Sequence, residues 1–292
     1  MSNKKRIIIA ISSIILFIAT LVVISIAFNK YKVDVYENIK YGEHERNVFD
    51  LYLPANYEKH GLILYIHGGA WIAGDKESYK NDMKHYAEKE GIACAAINYR
   101  YASADTSCYD ILDDIDAAVT KIKETAKEHG VELEKMMLTG HSAGAHLSLL
   151  YAYKYQNIAA IKPVCVASLA GPTDLTDDMY YQNWPTVYEL FSYMIGKNFD
   201  ENNKEEVKQD LLNVSPITYV NQNSVPTIIA QGEQDNIVSK ENAITLENVL
   251  KANNVEYYAY YYPHSGHGLE KDRGMNKQFK DKFNEFIVKY LG

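Results

Sequence analysis

The sequence predicts an α/β domain built on a mostly parallel central sheet with helices on both faces. Short, continuous apolar runs, such as residues 62–66 and 92–97, read as strands buried on both sides. Between them lie stretches whose apolar residues recur at intervals of three and four, as an amphipathic helix requires. Repeated alternation of the two patterns along the chain leaves a parallel sheet covered on both faces as the arrangement that buries both kinds of element.

In order, residues 31–57 read as an entry segment of short strands, followed by strands at 62–66 and 92–97. Ile111, Leu112, Ile115, Ala118, Val119 and Ile122 mark one face of a helix. A short strand at 136–138 runs into a helix over 142–153. Strands follow at 164–169 and, after an irregular stretch of about 50 residues, at 226–231. Ala243, Leu246, Val249 and Leu250 give a helix face, 257–262 a strand, and Phe279, Phe283, Phe286, Ile287 and Tyr290 a last helix. The region 175–225, rich in aromatic residues (Tyr180, Tyr181, Trp184, Tyr188, Phe191, Tyr193), is expected to form a small helical cap.

The first 30 residues stand apart from this domain of residues 31–292. Lys4, Lys5 and Arg6 precede an uncharged apolar run over 7–28, close to the ~20 residues that cross a bilayer as a helix. A secretory signal has a shorter apolar core and a small-residue cleavage site. No clean A-x-A pattern follows here, and no cysteine stands nearby to accept a lipid. The expectation is a single-pass anchor at the cell membrane, with the basic cluster inside and the domain outside. Lys30 and Lys32 weaken that charge bias, and a cleaved signal with a secreted domain is the alternative.

Composition excludes several classes. With 47% hydrophobic and 23% charged residues the body is globular. The net charge of -8 and the absence of a basic stripe argue against nucleic-acid binding. Cys94, Cys108 and Cys165 form neither a disulfide framework nor a zinc site. Cys94 and Cys165 lie in apolar runs and are expected to be buried. Cys108 lies in a polar stretch and is expected nearer the surface.

In parallel sheets ligands bind beyond the carboxyl ends of the strands, so chemistry is expected in the loops after 66, 138, 231 and 262. Gly140-His141-Ser142-Ala143-Gly144 is a G-x-S-x-G pattern between a strand and a helix. Such a turn forces the serine into a strained conformation, exposes its oxygen above the sheet, and sets it at the positive end of a helix. Ser142 is therefore the candidate nucleophile. His67-Gly68-Gly69-Ala70-Trp71 follows the strand at 62–66. Its glycines let backbone N–H groups approach a developing oxyanion. Gly69 and Ala70, with Gly68 possible, are the candidate donors there, and Ala143 supplies another N–H. Asp235, in Gly232-Glu233-Gln234-Asp235 after the next strand, is the candidate acid, with Glu233 its rival. His267, between Gly266 and Gly268, is the candidate base, with His264 its rival. The chain order serine, acid, histidine fits this arrangement. His44, His60, His85, His129 and His146 stand in no comparable context and read as surface or packing residues.

With these pieces in place, the sequence resembles bacterial esterases of the α/β-hydrolase superfamily that carry an HGGxW loop, near the hormone-sensitive-lipase-like and feruloyl-esterase-like branch. The resemblance rests on Phe49-Asp50-Leu51-Tyr52-Leu53-Pro54, His67 to Trp71, Asn98-Tyr99-Arg100, Gly140 to Gly144, Gly171-Pro172-Thr173-Asp174-Leu175, Ser215-Pro216-Ile217, Gly232 to Asp235 and His267-Gly268-Leu269. It spans nearly the whole chain after residue 30. It implies an α/β-hydrolase fold, the triad Ser142, Asp235 and His267, and hydrolysis of a small-molecule ester without metal or organic cofactor. Departures include Ala70 where some relatives have a third glycine, Ala145 where some have a further glycine, and a load of 25 tyrosines. Two rival functions share the fold: a peptidase of the prolyl-oligopeptidase kind and a catalytically inactive binding protein.

Overall fold

The computed structural model describes residues 32–55, 57, 59–183 and 186–292. The expected anchor at 7–28 and Trp184 lie outside the described residues. Among the described residues, no helix is long and apolar enough to cross a membrane.

Eight strands form one sheet among the described residues: β1 (Val33–Lys40), β2 (Val48–Pro54), β3 (Gly61–Ile66), β4 (Ala93–Ile97), β5 (Lys135–His141), β6 (Lys162–Leu169), β7 (Thr227–Gly232) and β8 (Tyr257–Tyr262). Their spatial order is β1-β2-β4-β3-β5-β6-β7-β8. β2 pairs antiparallel with both β1 and β4 at one edge. From β4 to β8 all pairings are parallel. The buried strands β3, β4 and β7 are covered on both faces, which is why β3 and β4 read as unbroken apolar runs.

The chain passes from β3 to β4 on one side and returns to β5 on the other. The crevice beyond β3 and β5 is thus the switch point at which α/β sheets bind ligands. The register pairs Ile66 with Gly140, so the loops that follow these residues emerge side by side.

One face is covered by α1 (Lys80–His85) and α8 (Arg273–Phe286), the other by α2 (Cys108–Glu128), α3 (Ala143–Lys154), α4 (Asp178–Asn183), α5 (Val187–Ile195), α6 (Lys204–Asn213) and α7 (Lys240–Ala252). Helix α3 is buried all round from Ala143 to Tyr153. This explains why its sequence shows no polar face. Helix α2 starts with a capping box, in which the Ser107 hydroxyl accepts from the Asp110 N–H and the Asp110 carboxylate accepts from the Ser107 N–H.

One expectation needs revision, and one element goes unread in the sequence. Cys108 is fully buried. The cap turns the chain at Ser107, so Cys108 falls on the inner face of α2 beside Ile111 and Leu112. Helix α1 has no counterpart in the sequence pattern, because its six residues bury only Met83.

Candidate active site

The elbow at Ser142 is strained. The residue has φ 57° and ψ -124°, a region that costs a non-glycine residue about 1–3 kcal/mol. The surroundings hold it there. Its N–H donates to the Leu169 carbonyl at the end of β6 (2.8 Å), and its carbonyl accepts from the His146 N–H of α3 (3.0 Å). The motif glycines are dictated by space. A Cβ at Gly144 would stand 2.0 Å from the Ile66 carbonyl oxygen, and one at Gly140 would stand 2.5 Å from the same atom. The helix therefore starts directly against the end of β3.

The loop after β3 lies on this elbow. A Cβ at Gly68 would meet the His141 carbonyl oxygen at 2.6 Å and the Ser142 Cβ at 3.4 Å. Gly69, Ala70 and Trp71 all have positive φ, at 112°, 49° and 62°, so the loop is a tight left-handed turn. Among the described residues, no carbonyl accepts from the N–H groups of Gly69, Ala70 or Ala143. Ala143 is the first residue of α3, where free N–H groups are expected. A cavity of about 390 Å³ opens here, lined by Gly68, Gly69, Asp75, Ser78, Tyr79 and His141 among others.

Residues that the sequence motifs do not single out hold this loop. Arg46 donates from Nε to the Tyr99 carbonyl (2.9 Å) and from its terminal nitrogen to the Gly74 carbonyl (3.1 Å). It also lies 3.1 Å from Nε2 of His67. A guanidinium only donates, so Nε2 of His67 accepts and its Nδ1–H donates to the Gly68 carbonyl (2.8 Å). Burial pushes His67 down to about 4, which keeps it neutral. Tyr99 stacks on His67 at 4.3 Å and donates its hydroxyl to the His67 carbonyl (2.9 Å). Asp50 forms a buried ion pair with Lys76 (2.9 Å), and Asn98 accepts from the Lys76 N–H (2.7 Å). The motif pieces around Asp50 and Asn98 thus act as scaffold under the loop. Arg46 carries no sequence signal, since it stands in an ordinary polar turn.

Trp71 extends the loop inward. Its Nε1 donates to Nδ1 of His146 (3.1 Å), and His146 Nε2 donates to the Val214 carbonyl (2.7 Å). Burial pushes His146 down to about 4 as well. His146 reads as a packing residue in the sequence. In the structure it is a buried bridge between the loop, helix α3 and the segment that carries α4 to α6. Phe191 of α5 packs edge-on against Trp71, with ring centroids 6.4 Å apart.

Asp235 and His267 meet beyond β7 and β8. Nδ1 of His267 lies 2.8 Å from Oδ2 of Asp235, whose side chain is fully buried. That carboxylate is otherwise satisfied by the N–H groups of Ile237 (2.8 Å) and Val238 (3.0 Å) and by the Gln231 amide (3.1 Å). The rivals lie elsewhere. His264 is 76% exposed and pairs with Asp272 at 2.8 Å, and Glu233 is exposed. The His267 loop also touches the elbow, because Nε2 of His141 lies 2.7 Å from the His267 carbonyl oxygen. His141 occupies the variable position of the G-x-S-x-G pattern, and the sequence does not single it out. Position in a motif gives no hint of a contact with a loop 126 residues away.

Ser142, His267, Asp235 and the N–H groups of Gly68, Gly69, Ala70 and Ala143 thus gather at one end of the sheet. The arrangement offers a hydroxyl at a helix N-terminus, an imidazole with its Nδ1 edge held by a carboxylate, and free N–H donors beside the hydroxyl. Among the described residues no group of histidine, cysteine and acidic side chains could hold a metal ion.

Comparison with known proteins bears on the family and the fold. The BD-FAE family model matches residues 49–250. The chain is 28% identical over 221 residues to a probable carboxylic ester hydrolase, LipM, of Mycobacterium tuberculosis (strain ATCC 25618 / H37Rv), an alignment covering 70% of this chain and 49% of that protein. The chain therefore spans about half the length of that relative. Among solved structures, a truncated carbohydrate esterase from gut microbiota superposes with a TM-score of 0.73 at 20% identity, covering 89% of this chain and 97% of the other. Esterase B from Lactobacillus Rhamnosis (HN001) gives a TM-score of 0.68 at 18% identity, covering 99% and 98%. These structural likenesses establish the shared α/β-hydrolase fold.

Proposed function

Because the chain belongs to the BD-FAE family of α/β-hydrolase esterases, we propose that it hydrolyses carboxylic esters of small molecules through an acyl-enzyme on Ser142. In this reading Ser142 Oγ attacks the ester carbonyl carbon while Nε2 of His267 takes its proton. Asp235 holds the imidazole by its Nδ1 edge and stabilises the imidazolium. The oxyanion is met by N–H groups of Gly69, Ala70 and Ala143, with Gly68 available beside them. As the C–O bond breaks, the proton passes from His267 to the leaving alkoxide. Water then enters, gives a proton to His267 and attacks the acyl carbon; as the acyl–Oγ bond breaks, His267 returns the proton to Ser142 Oγ and the acid leaves.

The observation that carries this reading is the 2.8 Å contact between His267 and the fully buried Asp235, at the same sheet end as the strained serine. The test is labelling with a fluorophosphonate, followed by a panel of p-nitrophenyl esters from acetyl to long chain, acetylated sugars and peptide amides. Labelling confined to Ser142, with ester turnover well above amide turnover, supports an esterase. Amide cleavage at comparable kcat/KM would favour the peptidase reading, and absence of labelling the binding-protein reading.

The same reading treats residues 175–225 as a cap. Support comes from Phe191 against Trp71 and from the Val214 carbonyl on His146, since both join this segment to the oxyanion loop. It also treats residues 7–28 as a membrane anchor with the domain on the outer side, on the strength of the uncharged apolar run behind Lys4, Lys5 and Arg6. An anchored protein keeps its N-terminus and stays with membranes through alkaline washes. An N-terminus starting near residue 30, with activity in the soluble fraction, would replace the anchor by a cleaved signal.

A further inference from the structure

His141 precedes Ser142, and its ring lies against that of His267, with centroids 4.7 Å apart and planes at 57°. A carbonyl oxygen can only accept, so the 2.7 Å contact with the His267 carbonyl fixes the proton of His141 on Nε2. Burial lowers the His141 pKa from its ordinary value, which keeps the ring neutral and this tautomer in place. The His141 main chain is itself anchored: its N–H donates to the Tyr79 hydroxyl (3.1 Å), and the Tyr79 ring packs on Tyr65 at 4.9 Å.

The partner segment is bonded on either side of His267, by the Gln234 N–H on the Ser265 carbonyl (3.1 Å) and the Leu269 N–H on the Gly266 carbonyl (3.3 Å), and the bond from His141 is the one that reaches the His267 carbonyl among the described residues. His267 stands between Gly266 and Gly268, and at Gly266 an added Cβ would meet only the Gln234 carbonyl oxygen, at 3.4 Å. Gly232 packs against the main chain of Ser265 and Gly266, one residue short of His267 itself. Asp235 holds the imidazole at one point, its Nδ1 edge, and a ring held at one point can still pivot. The bond from His141 holds the other end, the main chain from which the ring hangs, and it starts from the residue adjoining Ser142.

We propose that His141 is a positioning residue: its Nε2–H, donated to the His267 carbonyl, sets the separation between the His267 imidazole and the Ser142 hydroxyl. This rests on the reading of Ser142 as nucleophile and His267 as base. His141 does not itself exchange protons with substrate, because its one N–H is engaged by the main chain.

The test compares His141→Gln, which keeps an N–H at the same reach, with His141→Met, which has similar length and no donor. With the ester turned over fastest as substrate, His141→Met lowers kcat about ten- to a hundredfold, the range expected for misplacement of a reacting group by up to about 1 Å. KM stays within about twofold, and fluorophosphonate labelling slows by the same factor as kcat, because both need His267 to activate the serine. His141→Gln retains at least about a third of the wild-type rate in both assays, where a purely packing role would leave Gln and Met alike. If His141→Met lacks a cooperative melting transition, His141→Leu takes its place. A donorless variant with the wild-type labelling rate, or Gln as slow as Met, overturns the proposal. Ser142→Ala, run in parallel, separates the two failures: if it still turns over ester, the serine mechanism is at fault rather than the role of His141.

Discussion

Gly232 lies against the main chain of Gly266, so that a Cβ at position 232 would stand 2.3 Å from the Gly266 carbonyl oxygen and 2.6 Å from that of Ser265. This contact seats the loop of Asp235 beside the loop of His267. The obstruction is backbone, which cannot swing aside as a side-chain tip can. Gly232→Ala is therefore expected to part the two loops, lower kcat at least about tenfold and lower the melting temperature. At Gly274, near the start of α8, an added Cβ would meet no atom within 4 Å. Gly274→Ala should leave kcat unchanged and raise stability by up to about 1 kcal/mol through helix propensity. Thermal melts and kcat of the two variants side by side check this, and equal behaviour would show that space at Gly232 does not matter.

Backbone strain at Ser142 predicts an opposition between stability and activity. Both Ser142→Ala and Ser142→Gly remove the nucleophile and should lower kcat by at least about a thousandfold. Alanine keeps the penalty of φ 57°, whereas glycine adopts that conformation without it. Relief of about 1–3 kcal/mol outweighs the roughly 0.5–1 kcal/mol that glycine loses in chain entropy. Ser142→Gly should thus melt above Ser142→Ala. Calorimetry on both proteins decides it, and the reverse order would mean that the elbow is not a store of strain.

The paired rivals give a third prediction. His267→Ala should be nearly as damaging as loss of the serine, and Asp235→Asn should lower kcat by several powers of ten, because an amide cannot stabilise the imidazolium. His264→Ala and Glu233→Gln should stay within about threefold of wild type. His264 faces solvent, 76% exposed, and contacts Asp272 at 2.8 Å rather than Asp235. Steady-state kinetics of the four variants suffice. A dead His264→Ala enzyme would reassign the base.

The parallel sheet and its loop ends are legible in the sequence because a strand covered on both faces must be a continuous apolar run, as 62–66 and 92–97 are. Ser142 is legible for a related reason: the glycines at 140 and 144 are imposed by backbone contacts with the Ile66 carbonyl, so geometry leaves a mark on sequence. The scaffold of the site is not. Arg46, His141 and His146 each act through a few long-range hydrogen bonds, and such bonds impose no periodicity and no neighbouring motif. The burial of Cys108 escapes the sequence because it depends on where a capping box turns the chain, not on the polarity of its neighbours.

The two buried histidines of the scaffold predict acid sensitivity. Burial holds both His67 and His146 at about 4 in the folded protein, while in the unfolded chain they titrate near the reference value of about 6.5. Above about pH 6.5 both states are neutral and nothing is lost. Between about pH 6.5 and 4 the unfolded chain binds protons that the folded one excludes, so stability falls as pH falls through that window. Each histidine contributes on the order of 3 kcal/mol to the loss by about pH 4. His146→Gln removes one of them while keeping an acceptor for Trp71 and a donor for the Val214 carbonyl. Urea unfolding at several pH values should show the variant less dependent on pH than wild type, by up to about 1.4 kcal/mol per pH unit near about pH 5. If the two curves run parallel, His146 takes up its proton equally in both states, and the bridge between Trp71 and Val214 does not depend on a neutral ring.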